Sequence, residues 1–311
     1  MSQINSNEVA IKRKKTTKTQ KREHTQAFAF LTPAVVITGI FIGLAILFVI
    51  YLSFHKVNLF TGEYTFVGLE NYLRVFRDDT ARIALKNTLT FSLIVVPIQT
   101  FLALVIASVL NSKLRGKMFF RTVYFLPTLT SSSALTLIFM FMFSVTGPVN
   151  AMLLKSGLID SSINFLQDTD FTLKVIMIMN IWSTVPYYMT LYLATLQDLP
   201  AAMYEAAAID GAGPCRTFFS IIVPYLKSMT TYVLLTGIIG TLQMFDQAYI
   251  FSNGSGGPEN STLTVSLMVY RYAFGTQNAM GFAATLAIIL AILIFIISAL
   301  AQRANKAESL Y

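Results

Sequence analysis

Cysteine, histidine, tryptophan and charge are all scarce in this chain. Its 311 residues include one Cys, two His and one Trp, and 12% are charged, against roughly 25% in soluble domains. A single cysteine, Cys215, excludes an internal disulfide framework. The histidines, His24 and His55, have no companions at ligand spacing, so no metal site is expected. There is no GxxxxGK[ST] loop, HExxH or GxSxG, and no pair of acids lies inside an apolar run. Catalytic residues and a bound cofactor are therefore not expected. The formal charge of +8 does not point to nucleic acid, because the basic residues cluster beside apolar runs rather than along one face.

What is present is apolar, at 55% of residues. Uncharged stretches run over Ala27–Phe54, Thr88–Ser112, Thr122–Ser144, Val175–Gln197, Met229–Ser252 and Met280–Ala301. Each is long enough to cross a hydrocarbon core of ~30 Å as a helix. The expectation is an all-α polytopic membrane protein with six transmembrane helices, the first a retained helix. Pro33, Pro97, Pro127 and Pro186 fall inside these runs and predict kinks that neighbouring helices can satisfy. With the N-terminus inside, about 15 Lys and Arg lie on the cytoplasmic side and about 8 outside, an N-in/C-in arrangement. The implied layout is a basic cytoplasmic tail (1–26), a first transmembrane helix (27–54) and an extracytoplasmic loop (55–87). A five-helix core (88–301) with a cytoplasmic loop at 198–228 follows, then a cytoplasmic tail (302–311).

That loop contains YEAAAIDGAGPCRTFFSIIVPYLKS, Tyr204 to Ser228, too polar to span a bilayer. Asp198-Leu-Pro200 reads as a helix start, AAMYEAAAID as strong helix formers, and Gly211 as a left-handed cap. Pro214 can open a second short helix, and Pro224 turns the chain back. Ala206, Ala207 and Ala208 leave the first helix smooth, Glu205 offers one acid, and Gly211 and Gly213 permit the corner. Two readings stand: a knob on which another protein docks, or an amphipathic connector lying on lipid.

Glu205-Ala206-Ala207, three residues, Gly211, nine residues, Ile221, one residue and Val223-Pro224 resemble the EAA motif of ATP-binding-cassette importer permeases, with Val223 in place of Leu. FVGLENYLRVFRD, LRGKMFFRTVYFLPT, NIW, MFDQAYIFSNGSGGPENST, and YRYAF followed by MGFAA are similar to the carbohydrate-importer branch that contains the maltose and glycerol-3-phosphate permeases. The resemblance runs from about Phe30 to the C-terminus. It implies the MetI-like type I importer permease fold in a bacterial or archaeal cytoplasmic membrane. It also implies a heterodimer with a second homologous permease, and two ATPase subunits that bind ATP and Mg²⁺ in this chain's stead. A periplasmic or lipoprotein sugar-binding protein would deliver the carbohydrate. The coupling residues it implies are Glu205, Ala206, Ala207, Asp210, Gly211, Gly213, Ile221 and Pro224, with Glu205 facing a basic residue of the ATPase.

Polar and aromatic groups inside spans are expensive in lipid and therefore candidates for the substrate pathway. The fourth span offers Asn180, Trp182, Tyr187 and Tyr188; the fifth offers Thr241, Gln243, Met244 and Asp246. In the maltose permease the counterparts of Asn180 and Tyr187 lie among the sugar contacts; the others rest on chemistry alone. Interhelical hydrogen bonding is the competing role for each. The outward loops 145–174 and 253–277 are expected to receive the binding protein. A secondary transporter is the alternative, but ion coupling usually needs buried acids or histidines, and Asp246 stands alone. A channel would need rings of charge or a filter segment, and neither is evident.

Overall fold

The computed structural model describes residues 18–58, 62–112, 116–275 and 279–307, with side chains from 26 to 303. Most of the basic tail and the last four residues lie outside that set. Two units are separable, Met1–Tyr51 and Leu52–Tyr311. In the first, α1 (Lys18–Thr38) carries Pro33 and passes through a π-helical turn at Gly39–Gly43 into α2 (Leu44–Ser53).

The second unit opens with a hairpin of β1 (His55–Asn58) and β2 (Glu63–Phe66), antiparallel with His55 opposite Phe66. Next come α3 (Glu70–Arg77) and α4 (Asp79–Asn111). Asp78 caps α4, its Oδ1 accepting the Ala81 N–H at 3.1 Å. That cap lets the helix begin at Asp79 rather than at the apolar boundary, Thr88. The Asn71 amide donates to the carbonyls of Ser53 (2.9 Å) and His55 (3.1 Å), and the Thr285 hydroxyl lies 3.2 Å from the Ser53 carbonyl. These bonds satisfy carbonyls at a helix end that has no further turn.

The expected third crossing, Thr122–Ser144, is broken into α5 (Lys117–Leu129) and α6 (Ser132–Met142), bent by 99°. Pro127 lies in the last turn of α5, Thr130 is extended, and Ser131 Oγ accepts the Ala134 N–H to start α6 afresh. The next segment contains α7 (Pro148–Lys155); α8 (Thr172–Gln197) then runs unbroken through Pro186. The segment at 198–228 comprises α9 (Ala201–Ile209), α10 (Pro214–Thr217), a π-helical turn at Phe218–Ile222 and α11 (Val223–Tyr225). The fifth run is also interrupted: α12 (Lys227–Leu242) ends before Gln243-Met244-Phe245, and α13 (Asp246–Ser252) resumes. α14 (Val265–Phe274) and α15 (Met280–Ala307) complete the chain.

Among the described residues, four helical stretches are long and apolar enough to cross a membrane, or five if the bent α5–α6 pair is one span. α8 has the length, but its row of polar side chains keeps it out of that set. Two apolar cores hold this unit together. One surrounds Phe91, Met179, Leu267 and Phe282. The other joins Ala103 and Ala107 of α4 to Tyr192 and Leu196 of α8 and Leu226 and Val233 of the following segment. Ala84, Ala103 and Ala107 are fully buried, which lets α4 approach its neighbours closely where lipid supplies no hydrophobic drive.

The loop 252–264 is pinned. The Asn87 amide bridges the carbonyls of Asn260 (2.8 Å) and Leu263 (3.0 Å), and the Thr88 hydroxyl accepts the Val265 N–H. In α14, burial raises the Tyr272 phenol pKa, with Asp78 adding to the effect and Arg74 and Arg271 opposing it.

Gly281 faces the His55 carbonyl so closely that a Cβ would overlap the backbone oxygen. Gly281→Ala should therefore destabilise the protein by about 1–3 kcal/mol, the cost of overpacking. A fluorescence-detected thermal shift in detergent checks this. An unchanged melting temperature would contradict the packing.

Candidate functional site

α5, α6, α8 and α13 enclose a pocket of about 310 Å³ beside the 99° bend. The bend turns Thr128, Thr130 and Ser132 into it; α8 contributes Asn180, Ser183, Thr184, Tyr187 and Tyr188; α13 contributes Gln247. Leu135, Met179 and Pro127 form the apolar wall. No lining side chain is charged. Asn180 is 91% buried by complement of its 9% exposure, and its Oδ1 has no hydrogen-bond partner among the described residues. An unpaired buried amide oxygen costs roughly 1–3 kcal/mol, and this one is shielded from solvent as the helices are packed here. Tyr187 is half exposed, its ring edge-on to Tyr188 at 5.4 Å, giving an aromatic surface beside hydroxyls. Gln247 Nε2 donates to Ser132 Oγ at 3.2 Å and ties α13 to α6 across the pocket.

A second groove of about 440 Å³ continues along the same two helices. Arg121 to Leu129 of α5 and Met189 to Gln197 of α8 form its walls. From Asn180 to Gln197 the two cavities occupy successive turns of α8, about 25 Å at 1.5 Å per residue.

Of the eight pathway candidates, the fold brings Asn180, Tyr187 and Tyr188 together in the pocket. Trp182 stands outside it, half exposed and packed on Phe139 at 5.7 Å between ring centres. Thr241 is buried interhelical glue, with its hydroxyl 2.8 Å from Ser92 Oγ of α4 and 2.7 Å from the Gly237 carbonyl. Met244 is a core residue whose carbonyl accepts the Thr264 hydroxyl at 2.9 Å. Gln243 is exposed at the α12–α13 break, and Asp246 is exposed in the first turn of α13. Thr128, Thr130, Ser132, Ser183, Thr184 and Gln247 are pocket residues not singled out from sequence. The polar run Thr128-Leu-Thr-Ser-Ser-Ser133 inside an apolar stretch was the available signal.

At the other end, α9 closes with both bonds of a Schellman motif: Ala212 N–H to Ala207 O (2.9 Å) and Gly211 N–H to Ala208 O (3.1 Å). Gly211 takes φ +68°, as expected of the left-handed cap, whereas Gly213 is extended (φ −70°, ψ 171°) and needs no glycine for its conformation. Pro214 opens α10 at its first position. Tyr204 receives a bond from Asn111 Nδ2 at 3.3 Å, fixing α9 to the end of α4. Ala207, Ile222 and Leu226 are buried beneath the segment, and Ile221 is half-buried. Glu205, Ala206, Asp210 and Pro224 are exposed, and Ile209 is 86% exposed. The segment is thus a braced peg with a bare outer face.

A mostly helical chain, all-α as expected except for the β1–β2 hairpin, with several apolar spans, an uncharged, hydroxyl-lined pocket and a braced peg is built like a membrane permease. The sequence profile of the binding-protein-dependent transport system inner membrane component matches residues 99–307, and the chain belongs to that family. It is 38% identical over 273 residues to the lactose transport system permease protein LacF of Rhizobium radiobacter, covering 86% of this chain and 90% of that one. To the arabinooligosaccharides transport system permease protein AraP of Halalkalibacterium halodurans it is 33% identical, covering 89% and 90%. Its fold is similar to a chain of a bacterial alginate ABC transporter crystallised with an alginate pentasaccharide-bound periplasmic protein. The TM-score is 0.76 at 19% identity, over 94% of this chain and 98% of that one.

Because an L-residue in the left-handed region costs roughly 1–2 kcal/mol, Gly211→Val should loosen the peg. Tryptic cleavage after the exposed Arg216 is expected to accelerate by about tenfold. An unchanged cleavage rate would show that the cap does not hold the segment.

Proposed function

We propose that this chain is the permease subunit of an ATP-driven importer of a neutral saccharide. The observation that carries the reading is a pocket whose lining has hydroxyls, amides and an aromatic surface but no charge. Sugar hydroxyls pair with such hydroxyl and amide groups, and the C–H face of a pyranose packs on Tyr187. An anionic sugar would lie there without a counter-charge, which is costly in a membrane interior. The names of LacF and AraP, a lactose and an arabinooligosaccharide permease, support a sugar as cargo.

In this reading the six apolar runs are six crossings with both termini cytoplasmic. The bent α5–α6 pair forms one crossing and α8 another. The chain divides as the hydropathy suggests, with residues 1–26 and 302–311 as cytoplasmic tails, 55–87 outside and 88–301 as the core. A second homologous permease completes the pore, and an extracytoplasmic binding protein delivers the sugar to the outward loops. Two ATPase subunits, which bind ATP and Mg²⁺, grip the peg through Glu205, Ala206, Asp210 and the protruding Ile209. Ala207 and Ile221 pack the underside of the peg, and Gly211 and Pro224 turn its chain. The peg leads through Leu226 into α12, so a rotation imposed on it moves a rigid helix rather than a slack loop.

Uptake of radiolabelled lactose and arabinotriose by cells expressing the full transporter tests this. Uptake of one of them should stop when ATP is depleted with the proton gradient held; persistence would favour an ion-coupled secondary transporter. Asn180→Ala should raise KM by about five- to tenfold, the loss of one hydrogen bond. Glu205→Lys should abolish uptake while the binding protein keeps its sugar affinity. Wild-type uptake by Glu205→Lys would remove the peg from the coupling mechanism.

A further inference from the structure

Gln99 is 1% exposed in the middle of α4, two residues beyond Pro97. A buried amide inside a membrane span is expensive unless its bonds are made, so what it touches is informative. Its Oε1 lies 2.7 Å from the hydroxyl of Thr184, a pocket residue on α8. That hydroxyl has one proton and also sits 2.7 Å from the Asn180 carbonyl. The other end of the amide rests against α12: a Cβ on Gly237 would come within 2.7 Å of Gln99 Nε2 and 3.7 Å of the Tyr188 hydroxyl. Gly237 is buried in a helix interior where glycine is otherwise unfavourable by about 1 kcal/mol. The space its missing side chain leaves is where the amide fits.

One side chain of α4 thus meets a pocket residue of α8 and the backbone of the helix that rises from the peg. Thr184 and Tyr188 belong to the pocket wall, and both lie against this junction. We infer that Gln99 is the positioning residue of the pocket. It holds the Asn180–Thr184 face of α8 in place, and Gly237 is the socket that keeps its amide on Thr184. The role presupposes the saccharide pocket proposed above.

A bridge that served only to glue helices would lower stability without changing ligand recognition. The variants separate the two. Gln99→Met keeps the volume and removes the bond. It should raise the uptake KM for lactose or arabinotriose by about tenfold, with maximal rate and melting temperature little changed. Gly237→Ala should do the same by displacing the amide, and should add nothing in a Gln99→Ala background, where the space is free. The measurement on the complex that needs no substrate is maleimide labelling of Ser183→Cys in a Cys215→Ser chain. Gln99→Met should change its rate severalfold, while a reporter at the exposed Ser161→Cys, outside the apolar spans, stays unchanged. Additive effects of Gly237→Ala and Gln99→Ala, or a lowered melting temperature with KM and labelling unmoved, would overturn the inference. If the parent complex imports neither sugar, the functional reading falls; the labelling rates still decide whether Gln99 positions α8.

Discussion

Every backbone N–H and C=O that leaves a helix inside a bilayer must find a partner within the protein, because lipid offers none. That constraint governs this chain most where its helices break. At 130–131 the ladder is interrupted, and Ser131 restarts it through its hydroxyl. At 243–245 the Met244 carbonyl is taken by Thr264, itself fully buried. Both breaks border the pocket, which gains Thr130 and Ser132 from one and Gln247 from the segment after the other. A continuous helix would bury its polar backbone and present only side chains. An interrupted one brings short polar side chains and turns to a single depth, where a hydroxylated ligand can be bonded. Interruption of spans at the substrate site is a general solution for transport proteins.

The same logic explains the polar pairs that join one helix to another. Thr241 with Ser92, Tyr192 with Thr230 and Gln99 with Thr184 each join two helices by a hydrogen bond inside the apolar unit. With little hydrophobic drive between helices in lipid, such bonds and the fully buried alanines of α4 set which faces meet. The peg follows soluble-protein rules instead: a capped helix, a left-handed glycine, a proline-started second helix and a buried underside. It is ordered by local chemistry and anchored by Tyr204 to α4 and by Leu226 to the second core.

The two halves of the candidate site were unequally legible. The peg could be read residue by residue, because caps and turns depend on neighbours in the chain: Gly211 took the left-handed conformation its spacing implied. The pocket could be read only in part. Asn180, Tyr187 and Tyr188 were visible as polar or aromatic groups within an apolar run, and so were Trp182, Thr241 and Met244, which are not among the residues lining it. Nothing in their own stretches separates them. Thr241 meets Ser92 across a gap of 149 positions and Thr184 meets Gln99 across 85. Hydropathy also missed the breaks, since Thr122–Ser144 contains no charge to mark the 99° turn.

Read as a string of residues, the chain already reveals a helical membrane protein, where its apolar runs lie, how the peg is capped, and which family it resembles. Those features rest on local composition, periodicity and turn chemistry. It took the packed helices to bring Gln247, Ser132 and Asn180 into one cavity, to bond Thr241 to Ser92, and to set Gly237 beside Gln99. The face a polar side chain shows to its surroundings depends on how helices rotate and pack against one another, and that is set by contacts between residues far apart in the chain.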